Sequence, residues 1–137
     1  MRLFVYGTLM RGFGNNILLL NTSRFLGAAT VKGFVIRCPH YVPMAIRTVS
    51  KGHFIEGEVY EVDHDTLRYI DLLEGYNEDW PDDYCMYKRI KALSEEFGEV
   101  EMYVSPRQPM TDEEIQKDKN IISYPSWRQY ILSKQDE

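Results

Sequence analysis

The plainest two-residue period in the chain lies between positions 54 and 62, where Ile55, Gly57 and Val59 alternate with Glu56, Glu58 and Tyr60, and it predicts a strand. Leu3 to Tyr6 is short, apolar and β-prone and runs straight into Gly7-Thr8, the pattern of a first strand ending in a tight turn. From Phe25 to Ile36, β-branched and aromatic residues mix with Gly27 and Gly33, which suits bent strands in a curled sheet. Pro39 and Pro43 impose loop conformation around residues 40–42, and Ile46 marks a further strand. A hairpin is predicted from Cys85 to Leu93, through a turn at Glu95 to Gly98, and back along Glu99 to Val104.

Helical spacing is rarer. Leu67, Ile70 and Leu73 recur every three residues behind Asp63 and Asp65, either of which can cap, and Gly75 supplies a left-handed stop, so this helix ends on Glu74. Asn15 or Asn16 can cap a short helix through Leu20. Thr111 with Glu114, and Ser126 with Gln129, have capping-box spacing and predict two short helices later in the chain, the first within a charged, solvated stretch from Asp112 to Lys119. No internal repeat, linker or low-complexity block interrupts the pattern, so residues 1–137 are expected to form one α+β domain.

Composition agrees with a single core. A chain of 137 residues buries roughly two-thirds of its unfolded surface, and 44% hydrophobic residues suffice to do so. The longest apolar run, Ile17 to Leu20, is far too short to cross a bilayer, and Met1 to Gly7 lacks the length and cleavage site of a signal peptide; a cytoplasmic protein with no membrane partner is expected. Cys38 and Cys85 form neither a CxxC pair nor a disulfide framework and read as core thiols. A net charge of −5 argues against a nucleic-acid partner, and the one basic cluster, Lys88, Arg89 and Lys91 around Ile90, has strand alternation instead of the layout of a phosphate track.

The usual catalytic motifs are missing: the chain has no GxSxG elbow, no phosphate loop ending in Gly-Lys-Ser or Gly-Lys-Thr, no HExxH and no complete EF-hand. Cys38 with His40 is too small a set for a metal, and Glu78, Asp79, Asp82 and Asp83 lack the spacing of a cation loop, so neither metal nor cofactor is expected. Two features remain. In Tyr6-Gly7-Thr8-Leu9 the glycine permits a turn whose amide N–H groups face an anion or carbonyl oxygen, although the residues by themselves fit an ordinary turn better. Glu74 stands in the last turn of its helix, where the macrodipole disfavours a carboxylate. Burial there would raise its pKa toward the range of a group that accepts and returns protons near neutrality; a frayed, solvated Glu fits the local sequence equally well.

The order and spacing of these segments resemble the gamma-glutamylcyclotransferase-like family, especially its gamma-glutamylamine cyclotransferase branch. Leu3 through Gly12, followed by Asn15, is similar to the family's opening signature. Tyr41-Val42-Pro43-Met44-Ala45-Ile46 is similar to its proline-containing approach to a strand, Gly57 to Val62 to the next strand, and Leu67 to Gly75 to the helix carrying its catalytic glutamate. Tyr87-Lys88-Arg89, Met102-Tyr103-Val104, Trp127 and Tyr130 match later segments, while the acidic run Asn77 to Asp83 and the stretch Arg107 to Tyr124 depart from the pattern and are expected to reshape the pocket rim.

The resemblance implies a small, partly closed mixed β-barrel with peripheral helices. It implies that Tyr6, Gly7, Thr8, Leu9 and, with less support, Tyr103 hold a small γ-glutamyl substrate, and that Glu74 is the general acid/base. The implied reaction is attack of the substrate's α-amine on its own γ-carbonyl, releasing 5-oxoproline and an amine. The rival expectation is a binding or interaction module that keeps the pocket without turnover. The identity of the amine and the oligomeric state are not legible in the sequence.

Overall fold

A computed structural model describes residues 1–40 and 42–135, with Leu20 described by its backbone alone. Among the described residues, seven strands and four short helices are connected in the order β1 (Arg2–Val5), α1 (Ile17–Leu20), β2 (Arg24–Lys32), β3 (Phe34–Arg37), β4 (Met44–Arg47), β5 (Phe54–Glu61), α2 (His64–Leu73), β6 (Lys88–Ser94), β7 (Gly98–Val104), α3 (Asp112–Lys117) and α4 (Trp127–Gln135). Single 3-10 turns at Gly14–Asn16 and Asp82–Tyr84 precede α1 and β6.

Five strands close into a barrel. β5 pairs antiparallel with β1 on one side and β2 on the other, β2 meets β6 at Val31↔Ser94, and β6 and β7 form the expected hairpin. A parallel contact between β1 and β7, at Leu3↔Glu101, completes the ring. The β3–β4 hairpin lies outside it, attached through a parallel contact of Ala45 with Val104. The barrel is therefore mixed, and the register slip between Phe25 and Gly27 gives β2 the bend that the glycines predicted.

The core holds Leu3, Phe4, Val31, Ile55, Val59, Val100 and Met102, all nearly inaccessible to water. The alternation read in β5 has a different meaning from inside versus outside, because Glu58 and Tyr60 on the second face are buried too, under the segment that follows β1. The helix α2 docks Leu67 and Ile70, but Leu73 is half exposed and does not extend that buried stripe. Asp63 is the α2 cap, accepting from the Thr66 N–H, and Thr111 with Glu114 forms the full capping box of α3. Ser126 accepts from the Gln129 N–H at the start of α4. Tyr41 of the proline-containing segment lies outside the described residues.

Two expectations are corrected. Asn16 occupies the N-cap position of α1 as expected, but neither its side chain nor that of Asn15 makes a capping bond; the Asn15 amide donates to Thr8 Oγ1 and the Asn16 amide to Leu9 O and the Tyr60 hydroxyl, so both serve the loop before them. The stretch 107–124 stays away from the pocket rim. It packs on β3 and β4 through bridges of Thr48 with Met110 and Arg37 with Ile121 and the Arg37–Asp118 ion pair at 2.8 Å, because that hairpin, lying outside the ring, offers unpaired backbone.

Candidate active site

A cavity of about 290 Å³ opens where the loop after β1, the segment before β4, the end of α2 and the approach to β6 converge. All six residues singled out by the sequence line it: Tyr6, Gly7, Thr8, Leu9, Glu74 and Tyr103.

The loop from Tyr6 to Met10 folds back on itself, with the Met10 N–H donating to Gly7 O at 3.1 Å. No N–H of Gly7, Thr8 or Leu9 donates to a described residue, so among the described residues these are three successive main-chain donors without a partner, in a segment that lines the cavity. The glycine is needed for a reason other than the one expected. Gly7 has no left-handed φ; a Cβ there would come within 2.7 Å of Pro43 Cγ, so the side chain is missing because the loop passes against a rigid ring.

The residues that hold this loop were not singled out in advance. Glu58, almost fully buried in β5, accepts from the Arg11 N–H at 2.8 Å and lies 3.5 Å from Arg11 Nε and 3.4 Å from Arg128 Nη2. Arg128, from α4, also donates to Arg11 O. Asn16 fastens the other end through Leu9 O, at 2.7 Å. These groups are separated by up to 117 positions, so no local spacing could reveal them; a glutamate within the β5 alternation was the one available signal.

Glu74 is the residue after α2, its N–H still bonded to Ile70 O at 2.9 Å. Gly75 follows with φ of 66°, and bonds from Gly75 N–H to Leu72 O and from Tyr76 N–H to Asp71 O complete a left-handed stop that only glycine adopts without strain. The half-buried Glu74 carboxyl has no hydrogen-bond or ion-pair partner among the described residues. Burial pushes its pKa up to about 7.

Among the described residues, Tyr6, Tyr87 and Tyr103 wall the cavity, and their hydroxyl protons are committed elsewhere. Tyr6 donates to Tyr103 O at 2.6 Å and accepts the Ala45 N–H, Tyr87 donates to Pro43 O at 2.9 Å, and Tyr103 donates to Asp71 Oδ1 at 2.5 Å. Burial raises all three phenol pKa values, with the Asp71 carboxylate adding to the effect at Tyr103. Asp71 is in turn held by Arg89, which also pairs with Glu101 at 2.7 Å. Arg89 of the basic cluster is thus internal to the fold.

A profile described as gamma-glutamyl cyclotransferase, AIG2-like, matches residues 3–129. The chain belongs to that family. Its relatives include a protein of Methanocaldococcus jannaschii named as a putative gamma-glutamylcyclotransferase, 34% identical over 101 residues that make up 74% of this chain and 79% of that protein. A rat gamma-glutamylaminecyclotransferase is 41% identical over 80 residues, and there the match spans about half of each chain, 53% and 54%. The crystal structure of a mouse AIG2-like protein superposes with a TM-score of 0.65 at 28% identity, covering 92% of this chain and 86% of the mouse chain. A Pyrococcus horikoshii structure shares the fold with a TM-score of 0.73 at 24% identity over essentially the whole of both chains. The barrel with peripheral helices is the family's architecture. No helix among the described residues is long and apolar enough to cross a membrane.

Proposed function

We propose that this chain converts a γ-glutamylamine or a related γ-glutamyl compound into 5-oxoproline and a free amine, with Glu74 as the proton carrier. The observation that supports this reading is a carboxyl with no partner among the described residues that lines the same cavity as Gly7, Thr8 and Leu9, whose N–H groups also donate to none of the described residues. The names of the relatives agree with the reaction type.

The chemistry asks little else of the protein. Nucleophile and electrophile belong to one molecule, so holding the glutamyl chain in its cyclising conformer contributes up to about 7 to 11 kcal/mol. The α-ammonium must lose a proton before attack and a second as the ring nitrogen becomes an amide. The departing nitrogen takes up two and leaves as an ammonium once the γ-carbon–nitrogen bond breaks. A carboxyl titrating near 7 serves both transfers in turn, a contribution of about 10² to 10⁴ in rate. The N–H groups of Gly7, Thr8 and Leu9 face the oxyanion that forms between the two steps, each such donor being worth about 3 to 4 kcal/mol. The α-carboxylate is assigned to Asn15, whose amide bonds Thr8 Oγ1, since no Lys or Arg lines the cavity among the described residues.

The test is incubation with γ-glutamylamines and γ-glutamyl amino acids, with mass detection of 5-oxoproline. Glu74→Gln is expected to abolish release while still binding substrate; full turnover by that variant would remove Glu74 from the mechanism.

A further inference from the structure

The barrel is not zipped all the way round. β6 pairs with β7 along its whole length, but its other edge meets β2 only at Val31↔Ser94, so among the described residues Lys88–Leu93 are bridged on one side alone. The Glu95 N–H crosses to Thr30 O at 3.0 Å, and by strand alternation the amides of Leu93, Lys91 and Arg89 turn toward the same open side. The gap reaches the core. Ile90 and Ala92 share a face with their hairpin partners Met102 and Val100, which are fully enclosed, yet both stay partly accessible to water. A groove of about 440 Å³ runs along this edge, completed by Lys32, Phe34 and Arg47 from β2, β3 and β4, and it shares no lining residue with the Glu74 cavity.

The groove is cationic in a chain whose net charge is −5. Among its described lining residues Lys32, Arg47 and Lys91 outnumber the one carboxylate, Glu95. Arg47 has no ion-pair partner among the described residues, and the pairs Lys32–Glu95 at 3.1 Å and Lys91–Glu99 at 3.7 Å lie in water, where such contacts are weak and readily exchanged. The acidic run 77–83 lines neither this groove nor the Glu74 cavity, contrary to the expectation that it reshapes the rim, and its Asp82 pairs with Lys88 at the start of β6. Lysines along an exposed edge keep like strands apart. A second copy laid antiparallel on β6 would set these cations against their own counterparts, whereas an acidic strand meets the opposite condition.

We infer that this open edge binds an extended acidic peptide by strand addition. The peptide's main chain bonds to residues 89–93, its apolar side chains cover Ile90 and Ala92, and its alternate carboxylates meet Lys32, Arg47 and Lys91. The free edge from Lys88 to Leu93 spans about 20 Å, the length of an ordinary strand.

The probe is a hexapeptide of alternating Glu and Val, blocked at both ends, followed by calorimetry and by amide hydrogen exchange in the full chain. Binding is expected, with new protection at Arg89, Lys91 and Leu93. A hexapeptide with Lys in place of Glu, and one of unchanged charge with Pro in place of the central Val, should not bind. The double variant Arg47→Glu with Lys91→Glu, at two exposed positions, should weaken the Glu-Val peptide by about tenfold or more. No binding to the wild type, equal binding of the proline peptide, undiminished binding to the double variant, or protection confined to other strands would each overturn strand addition at this edge. Dimerisation that protects the same three amides without peptide would give the edge to a second copy and overturn the acidic partner.

Discussion

Glu74 sits where a helix end and a shortage of water both work against ionisation, and its pKa of about 7 has consequences for stability as well as for rate. Below about pH 4.5 the folded and unfolded chains both hold the proton. Between there and pH 7 the unfolded chain ionises while the folded one does not, so stability falls as pH rises and the loss is complete above 7. Glu74→Gln should therefore match the wild type in acid and exceed it by on the order of 2 kcal/mol at pH 8, as read from denaturant midpoints across pH. The same titration should appear in wild-type catalysis as an acid limb of kcat/KM near pH 7. At Gly7, a valine collides with Pro43, and turnover should drop by at least about a hundredfold, whereas Thr8→Ala loses only the Asn15 bond and should keep most activity. Wild-type kinetics from Gly7→Val would mean that the loop is not the cradle.

The working elements are a loop and a helix end, and they differ in how visible they are in the sequence. The α2 stop could be read from Glu74 followed by glycine, since left-handed geometry is a local demand. The loop could be located but its support could not, because Glu58, Arg11, Arg128 and Asn16 meet only after the barrel has closed and α4 has folded over it. The side chains of Asn15 and Asn16, the latter at the N-cap position of α1, make no cap because acceptors in the preceding loop and at Tyr60 outcompete the helix N–H groups. Removing the carboxylate at Glu58 leaves the Arg11 N–H and two guanidinium groups without their shared acceptor. Glu58→Ala is expected to lower kcat more than it raises KM, by about tenfold or more, with the acid limb near pH 7 unchanged, and Glu58→Gln should restore part of the loss through the Arg11 N–H bond. A shifted limb with intact kcat would assign Glu58 to the environment of Glu74 instead of the loop.

At the scale of the whole molecule, the barrel followed from strand patterns, yet its closure did not, since the β1–β7 contact joins residues nearly a hundred positions apart through a single parallel bridge. The apolar docking of α2 through Leu67 and Ile70 was legible, but its polar tie was hidden: Asp71, Arg89 and Glu101 place two carboxylates on one guanidinium, with the Tyr103 hydroxyl as a fourth member. Arg89→Ala leaves two carboxylates largely out of water without a counterion, and should cost about 2 to 3 kcal/mol in chemical unfolding, less than a fully enclosed pair would. It should also lower turnover, because Asp71 lies one helical turn before Glu74 and steadies Tyr103 against the cavity.

The bond from the Met86 N–H to Gly75 O, 3.1 Å long, pinches the chain on either side of residues 76–85. Tyr76 is itself tied to α2 through Asp71 O, so the chain between it and Cys85 leaves and rejoins the fold at two fixed points. Its middle, residues 77–84, is thus an exchangeable cassette that evolution, or an engineer, can lengthen, trim or recharge without re-aiming the proton carrier.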